Sequence, residues 1–263
     1  MLALLNSEIF RTVKRPVTWI MLAILVLVIA AFYAIVYFTV SDAATSEALR
    51  PDATRNNGFA IGSGIASILV IVLAAQSMGS EYGWGTIRAL ASRASGRIPL
   101  ILAKLFVLAG YTLLTLIVTA GASVGSAFLF GSLANNDTGV SGSEWVDILE
   151  AVARGMLSIG VYAIIALVIT ILSKSTAAGI AGAIALSFLE QAIWALLGAA
   201  SDTFDTISEY FISYNVTGLT SIGSDQAVDG FDATRGTIVL AAWLIGLFTI
   251  ALFIFRRRDI TSS

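Results

Sequence analysis

One acidic side chain lies deep inside an apolar stretch of the sequence, which makes it the first candidate for chemistry. Glu190 is the only acid well inside a predicted membrane span, with Gln191 beside it and Trp194 one helical turn further on. An ionised carboxylate is costly in hydrocarbon, so a residue in this position is a functional candidate by default. Glu190 and Gln191 could line a transport path, or Glu190 could carry a proton. Alternatively, a protonated or paired Glu190 could fix the packing of two helices.

The residue types that most enzymes use are missing. The sequence contains no histidine and no cysteine, which excludes disulfides, thiolate chemistry, the usual zinc sites and any triad or dyad that needs His or Cys. It has no G-x-x-x-x-G-K-[ST] motif either, so it does not bind ATP through a P-loop. We therefore expect no catalytic residues, no metal site and no cofactor bound by this chain.

Gly121, Ser123 and Gly125 match the G-x-S-x-G motif of serine hydrolases. That motif needs a turn between a strand and a helix, and a histidine, whereas here it lies within a continuous apolar run. Small residues at this spacing more often allow two membrane helices to approach closely. The same interpretation applies to further small residues: Gly58, Gly62, Ala178, Gly179 and Gly182.

The composition is that of a polytopic membrane protein. Of the 263 residues, 57% are hydrophobic and 12% are charged, and the mean hydropathy is +0.90; soluble domains carry about 25% charged residues. A bilayer core of about 30 Å is crossed by about 20 helical residues. Six apolar runs are long enough, which predicts an all-α protein with one transmembrane domain over residues 1–263. They cover approximately residues 17–40, 58–80, 98–130, 149–173, 177–199 and 236–255. The third is overlong, so its outer end is expected to tilt or to stop before Gly131.

The distribution of positive charge predicts the orientation of these spans, because Lys and Arg concentrate in cytoplasmic loops. Of the 15 Lys and Arg residues, only Arg50, Arg55, Arg154 and Arg235 fall on one side of the predicted membrane, together with most of the acids. The others fall on the opposite side: Arg11, Lys14, Arg15, Arg88, Arg93, Arg97, Lys104, Lys174, Arg256, Arg257 and Arg258. Both termini are therefore predicted to be cytoplasmic. Arg154 is expected to pair with Glu150, four residues earlier on the same helix.

Two segments outside the spans have helical patterns. Residues 2–15 combine one apolar stripe with cationic residues elsewhere, which is typical of an amphipathic helix at the membrane interface. Pro16 favours a break before the first span, although a plain extension of that span is the alternative. In the outer loop of roughly 200–235, an apolar and aromatic stripe predicts an interfacial or partly re-entrant helix; an irregular loop with aromatics at this spacing by chance is the alternative. The stripe consists of Ile207, Tyr210, Phe211 and Tyr214.

The longest polar interruption on the positive side is residues 81–104, EYGWGTIRALASRASGRIPLILAK. It sets four cationic residues against the single acid Glu81, and after Gly83 and Gly85 it has the pattern of a short helix. A short basic helix between two spans either docks a cytoplasmic partner or is a connector whose arginines only follow the charge distribution.

This segment resembles the cytoplasmic segment after the second span in type-2 ABC-transporter permeases. The resemblance rests on Glu81-Tyr82-x-x-Gly85-Thr86-Ile87-Arg88-x-Leu90, followed by Arg97 and Lys104. The start of the chain, with Glu8, Arg11 and Pro16-x-x-Trp19, is similar to the N-terminal interfacial helix of the same family. The six-span plan, the large loop before the last span and the basic tail are similar as well.

The resemblance implies the membrane subunit of a bacterial ABC exporter in the cell membrane. Its six spans would pair with those of a second permease copy or a paralogue. Two separate ATPase subunits would bind below and would carry the ATP and Mg²⁺. The residues implied in coupling to the ATPase are Glu81, Gly85, Thr86, Arg88, Arg93 and Arg97.

The expected cargo is hydrophobic or amphipathic, such as a lipid, peptide, drug or polymer, because the apolar interior carries few charges. Glu190 and Gln191 are candidates for its path, membrane lipid surrounds the spans, and no nucleic-acid partner is expected. Two other functions remain open. A proton-coupled secondary carrier would use Glu190, and a non-transporting scaffold or regulator would bind its partner without moving cargo.

Overall fold

The computed structural model describes residues 2–39, 49, 58–85, 97–135, 141–222 and 227–257. These residues are almost entirely helical and contain no β-strand. The helices are α1 (Leu2–Lys14), α2 (Pro16–Thr39), α3 (Ala60–Gly83), α4 (Arg97–Leu133), α5 (Gly142–Ser173), α6 (Thr176–Gly198), α7 (Asp202–Ser208), α8 (Ile212–Ser221) and α9 (Ala233–Arg257).

Six helices of the described chain are long and apolar enough to cross a membrane: α2, α3, α4, α5, α6 and α9. They confirm the six predicted spans, and the structure is that expected of a multi-pass membrane protein. The third span does not stop before Gly131, since α4 continues to Leu133. A helix of 37 residues is about 55 Å long, so it exceeds a bilayer core of about 30 Å.

The fourth span also begins earlier than its apolar run. The Ser141 hydroxyl accepts a hydrogen bond from the Glu144 backbone N–H, and the Glu144 carboxylate accepts one from the Ser141 N–H. This reciprocal capping box satisfies two backbone donors and fixes the start of α5 at Gly142. The predicted pair of Arg154 with Glu150 on this helix is confirmed, at 3.5 Å.

α5 is the central helix of the bundle, because α3, α4, α6, α8 and α9 all pack against it. Most of its apolar window is buried, whereas only a small share of the window of α6 is buried. Large apolar side chains also face outward on the other spans, including Leu27, Phe106 and Ile238. Such a surface requires a nonaqueous environment or a protein partner.

Small residues at several predicted positions do permit close helix packing. A Cβ on Gly62 would lie 2.5 Å from Thr119 and 2.8 Å from Ile29, and a Cβ on Gly179 would collide with Thr170. For Gly121 and Gly125 no such contact is found within the described chain, and packing against a second chain stays a prediction. A Cβ on either glycine would meet nothing within 4 Å, because these positions face away from the other described helices.

The described ends of the chain lie at the same end of the bundle. Phe255, near the end of α9, shares an apolar cluster with Met78, Leu100 and Ile171, and α1 packs on α4. We call this the basal end, defined by α1, Glu81, Lys104 and Arg256; the opposite end, defined by Glu144, Glu209 and Arg235, is the distal end. That the basal end faces the cytoplasm stays a prediction.

α1 and α2 are separate helices joined at Arg15. The Thr18 hydroxyl donates to the carbonyl of Thr12 at 2.8 Å, and the Trp19 indole N–H donates to that of Val13 at 2.8 Å. These bonds satisfy carbonyls that the end of α1 leaves without an intrahelical partner. The interfacial position of α1 stays a prediction, and most of the predicted coupling helix lies outside the described residues.

The contacts of Gly62 predict the effect of a larger side chain. Gly62→Leu should lower the free energy of unfolding by about 1–3 kcal/mol, because the new side chain overlaps Thr119 and Ile29. Gly110→Leu is the matched control, since a Cβ there meets nothing within 4 Å. Unfolding followed by tryptophan fluorescence in detergent measures both changes. Equal stability of the two variants would contradict the close contact.

Candidate functional site

Four ionisable side chains from three helices meet at the basal end and form what we call the ion cluster. They are Glu8 and Arg11 of α1, Glu81 of α3 and Lys104 of α4. The Lys104 Nζ lies 2.6 Å from Glu81 Oε1 and 3.0 Å from Glu8 Oε2. It also donates to the carbonyl of Ser77 at 2.8 Å. An ammonium has three N–H donors, so all the donors of Lys104 have partners.

Arg11 closes the ion cluster toward the surface. Its Nη1 lies 3.5 Å from Glu8 and 3.4 Å from Glu81, so two cations face two carboxylates. The Lys104 side chain is 1% exposed and that of Glu81 is 4% exposed, against 40% for Arg11. The ion cluster therefore has a desolvated lysine at its centre and one cation in contact with the surroundings.

Burial makes the ion cluster a constraint on three helices. Desolvating charged groups costs several kcal/mol for each ion, and their mutual attraction offsets this only while the geometry is kept. Moving α1, α3 or α4 apart would leave at least one charge buried without its partner. The basal ends of these helices are therefore expected to move together.

The chain leaves α3 directly beside the ion cluster. The backbone N–H groups of Trp84 and Gly85 donate back to Ser80 and Tyr82 at 3.0 and 3.2 Å. Gly85 has a positive φ of 65°, which favours glycine at the end of a helix. Arg15 hydrogen-bonds the Ser80 hydroxyl at 3.3 Å and lies over the Trp84 ring. Residues 84–97, which lead from the end of α3 to the start of α4, are called the basic segment below. Cationic and aromatic groups thus surround the start of this segment.

Two of the predicted coupling residues are therefore seen in the structure: Glu81 belongs to the ion cluster and Gly85 ends α3. Arg97 starts α4, but its side chain lies outside the described part of the chain. The other predicted coupling residues, Thr86, Arg88 and Arg93, also lie outside the described residues.

Sequence reasoning missed the pairing of Lys104 with Glu8. The signal was available, because Lys104 lies inside the predicted third span, where a cation needs a partner. Among the described residues, no group of three or more acids, histidines or cysteines could hold a metal ion. The carboxylates of the ion cluster face a lysine instead.

At the distal half of the bundle, Glu190 binds the start of α8. Its Oε1 accepts a hydrogen bond from the Ser213 backbone N–H at 2.9 Å, and Phe211 provides no side-chain cap there. A carboxylate at a helix N-terminus satisfies an unpaired donor and favours the helix dipole. This contact is the one expected if Glu190 fixes helix packing. That Glu190 lines a transport path or carries a proton stays a prediction.

The predicted helix in the outer loop is interrupted. Ile207 lies on α7 and Tyr214 on α8, with Tyr210 and Phe211 in the break between them. The stripe therefore does not form one continuous helical face. α8 begins beside Glu190, about 12 Å before the end of α6 along its axis, and packs on α5, α6 and α9. Its depth in a membrane stays a prediction.

Side chains from several elements hold the break in place. The Phe211 ring lies 4.5 Å from that of Trp194 and 6.3 Å from that of Trp243. The Asn215 amide donates to the carbonyls of Glu209 and Phe211 at 2.8 and 2.7 Å. These bonds satisfy backbone groups that a continuous helix would have paired internally.

Gln191 lies beside a cavity of about 420 Å³ between α3, α5, α6 and α8, whereas Glu190 does not line it. The Gln191 amide donates to the Thr217 hydroxyl of α8 at 3.4 Å. The two adjacent residues therefore have different surroundings. Glu190 binds a helix end, and Gln191 faces open space.

Residues 52–261 match the family described as "Protein of unknown function (DUF2705)". The chain belongs to this family. No curated protein matches the chain. The part that matches the family includes Glu81, Lys104, Glu190 and the cavity, but it begins after α1. The family match therefore covers two members of the ion cluster, while Glu8 and Arg11 lie outside it.

The ion cluster predicts a strong effect of a single substitution. Lys104→Met should lower the free energy of unfolding by about 3–5 kcal/mol, because two carboxylates would stay buried without their cation. Lys14→Met is the matched control, since Lys14 is exposed and lies outside the ion cluster. Thermal unfolding in detergent measures both effects.

Neutralising the acids as well should recover most of this loss. The variant Glu8→Gln, Glu81→Gln, Lys104→Met keeps side-chain size but leaves no buried charge from these three residues. Its stability should lie well above that of Lys104→Met alone. If Lys104→Met were as stable as Lys14→Met, the ion cluster would not be a structural constraint.

Proposed function

We propose that this chain is the membrane subunit of an ATP-driven ABC exporter. It works with a second permease copy or a paralogue, and with separate ATPase subunits that bind ATP and Mg²⁺. The resemblance of residues 81–104 to the coupling segment of type-2 ABC permeases supports this proposal. The arrangement of six spans is compatible with it. In this proposal the chain has no ATPase activity of its own, and hydrolysis takes place on its partner.

The observation that carries the proposal is the position of the ion cluster at both ends of the basic segment. Glu81 lies just before the segment leaves α3, and Lys104 lies two turns after α4 begins; their charged atoms are 2.6 Å apart. A force on the segment would therefore act on α1, α3 and α4 together. Closure of the ATPase subunits would supply that force, and rigid-body movement of these helices would pass it to the distal half.

The charge distribution gives the orientation in this proposal. The basal end carries Arg11, Lys14, Arg15 and the basic segment, and a cytoplasmic location fits the preference of Lys and Arg for that side. Both termini would then be cytoplasmic and within reach of a soluble ATPase. The α6 helix, of which little is buried in this chain, would face lipid or the second permease, next to the cavity that borders Gln191.

Charge reversal in the basic segment tests the proposed coupling. Arg88→Glu with Arg97→Glu should abolish co-purification of a P-loop ATPase from native membranes, because the two arginines no longer attract acidic groups on the partner. Membrane insertion should be unaffected, as shown by membrane fractionation. Mass spectrometry of the purified complex identifies and quantifies the ATPase.

Arg256→Glu with Arg257→Glu is the matched control, since it reverses the same number of charges on the side that the sequence predicts to be cytoplasmic. It should retain the ATPase. Normal amounts of ATPase with the Arg88 and Arg97 double variant would remove the proposed coupling role of the segment.

Glu190→Gln separates ATP-driven export from proton-coupled transport. Glutamine keeps a carbonyl oxygen that can accept the Ser213 N–H, but it cannot exchange a proton. Transport measured in membrane vesicles should therefore largely survive in an ATP-driven exporter. A complete loss of transport, with the variant still folded, would favour the carrier.

A further inference from the structure

The cavity between α3, α5, α6 and α8 has a distinct chemical lining. Its volume is about 420 Å³, within the range of pockets that bind small molecules, about 300–1,000 Å³. Hydroxyl groups from all four helices face it, together with the amide of Gln191. We call it the hydroxyl cavity, defined by Ser63, Ser67, Ser158, Ser187, Thr217 and Thr220.

Among the described residues, no charged side chain lines the hydroxyl cavity. Glu190, which is adjacent in sequence to the lining residue Gln191, instead accepts the Ser213 N–H. A charged group entering the cavity would lose its hydration without gaining an opposite charge, which is costly. The lining therefore favours a neutral ligand over an ionic one.

Three of these six hydroxyls have already used their donor and can offer only acceptor sites to the cavity. Ser63 donates to the carbonyl of Ala60 at 2.9 Å, and Ser187 donates to that of Ile184 at 2.7 Å. Thr220 likewise donates to the carbonyl of Val216. A hydroxyl that has used its single donor can still accept. A ligand that carries hydrogen-bond donors would therefore match these groups.

The side chain of Ser158 gives independent support for a ligand in the cavity. Its side chain lines the cavity from α5 and is 1% exposed, and its Oγ has no hydrogen-bond partner within the described ranges. A buried polar atom without a partner is costly and needs an explanation. A ligand hydroxyl in the cavity would provide the missing partner.

The rim of the hydroxyl cavity is apolar. Ile68 of α3 and Phe188 of α6 border it and are 43% and 64% exposed. Gly64 of α3 also lines the cavity and leaves open space, because a Cβ there would meet none of the described residues within 4 Å. A ligand with a polar end in the cavity could therefore extend an alkyl chain across this rim toward the surroundings of the bundle.

We propose that the hydroxyl cavity binds the hydroxyl-bearing end of an uncharged amphiphile. The neutral lining selects against ionic head groups, the acceptors and Ser158 select for hydroxyl donors, and the apolar rim accommodates the chain. That this amphiphile is the cargo rests on the proposed export function. Binding itself needs no ATPase and is measured on the purified full-length chain.

A short-chain glucosyl diacylglycerol is a suitable probe, with two matched comparison compounds. The first is its per-O-methylated form, which keeps the sugar ring and the acyl chains but has no hydroxyl donors. The second is the phosphatidic acid with the same acyl chains, which is anionic. Microscale thermophoresis in detergent should give an affinity about tenfold higher for the glucosyl lipid than for the methylated lipid, as expected for the loss of two hydrogen bonds. The affinity for the phosphatidic acid should also be lower, because the neutral lining does not compensate a buried charge. Equal binding of the three lipids would overturn the proposal.

Two substitutions locate the binding. Gly64→Phe should abolish it by filling the cavity, while Gly110→Phe, which also meets open space, should leave it unchanged. Ser158→Ala should weaken binding of the glucosyl lipid about three- to tenfold without lowering the unfolding temperature, because it removes a polar atom that has no partner among the described residues. Unchanged affinity in both Gly64→Phe and Ser158→Ala would exclude this cavity.

The lipid-binding measurements and the ATPase co-purification test the two proposals separately. If the glucosyl lipid binds but no ATPase co-purifies with the native chain, the site stands and the export function falls. If an ATPase co-purifies but the lipids show no selectivity, the export function stands and the ligand class is wrong.

Discussion

The buried lysine of α4 is the interaction on which the basal half of the structure depends. Lys104 donates to Glu8, Glu81 and the carbonyl of Ser77, and these partners come from two other helices. In a low-dielectric interior such an arrangement is stable only when every charge keeps its partner. The ion cluster therefore joins α1, α3 and α4 more firmly than apolar contacts between them would, because apolar side chains can slide without leaving a charge unpaired.

The distal half has a different character. Ion pairs such as Arg235–Glu209 lie at its outer end, but the hydroxyl cavity is lined by uncharged polar groups, and α8 is held by Glu190 and by aromatic contacts around Phe211. Because no ion pair of the described chain lines the hydroxyl cavity, the helices around it can change spacing at a lower electrostatic cost than the basal ends. A bundle that is firmly joined at its base and less constrained by charge around a cavity is suited to transmit a movement from its base to a ligand site.

The sequence predicted the spans well, because hydropathy over about 20 residues is a strong and local signal. It did not predict that Lys104 would meet Glu8, which is 96 residues away, since such a contact depends on how helices pack. The outer-loop stripe suggested one helix, but Phe211 packs between two tryptophans and Asn215 binds the backbone of the break. Gly121 and Gly125 show a further limit: small-residue spacing suggests a packing face, but it does not say whether a neighbouring helix lies there.

The most direct test follows the signal from the basal end to the hydroxyl cavity. The chain has no cysteine, so a Ser67→Cys variant carries a single thiol beside the cavity, and its rate of maleimide labelling can be measured in the complex with the ATPase. We expect ATP to change this rate when the ion cluster is intact and to have no effect when Glu8, Glu81 and Lys104 are replaced by Gln, Gln and Met. The same ATP response in both proteins would show that the ion cluster does not transmit the movement.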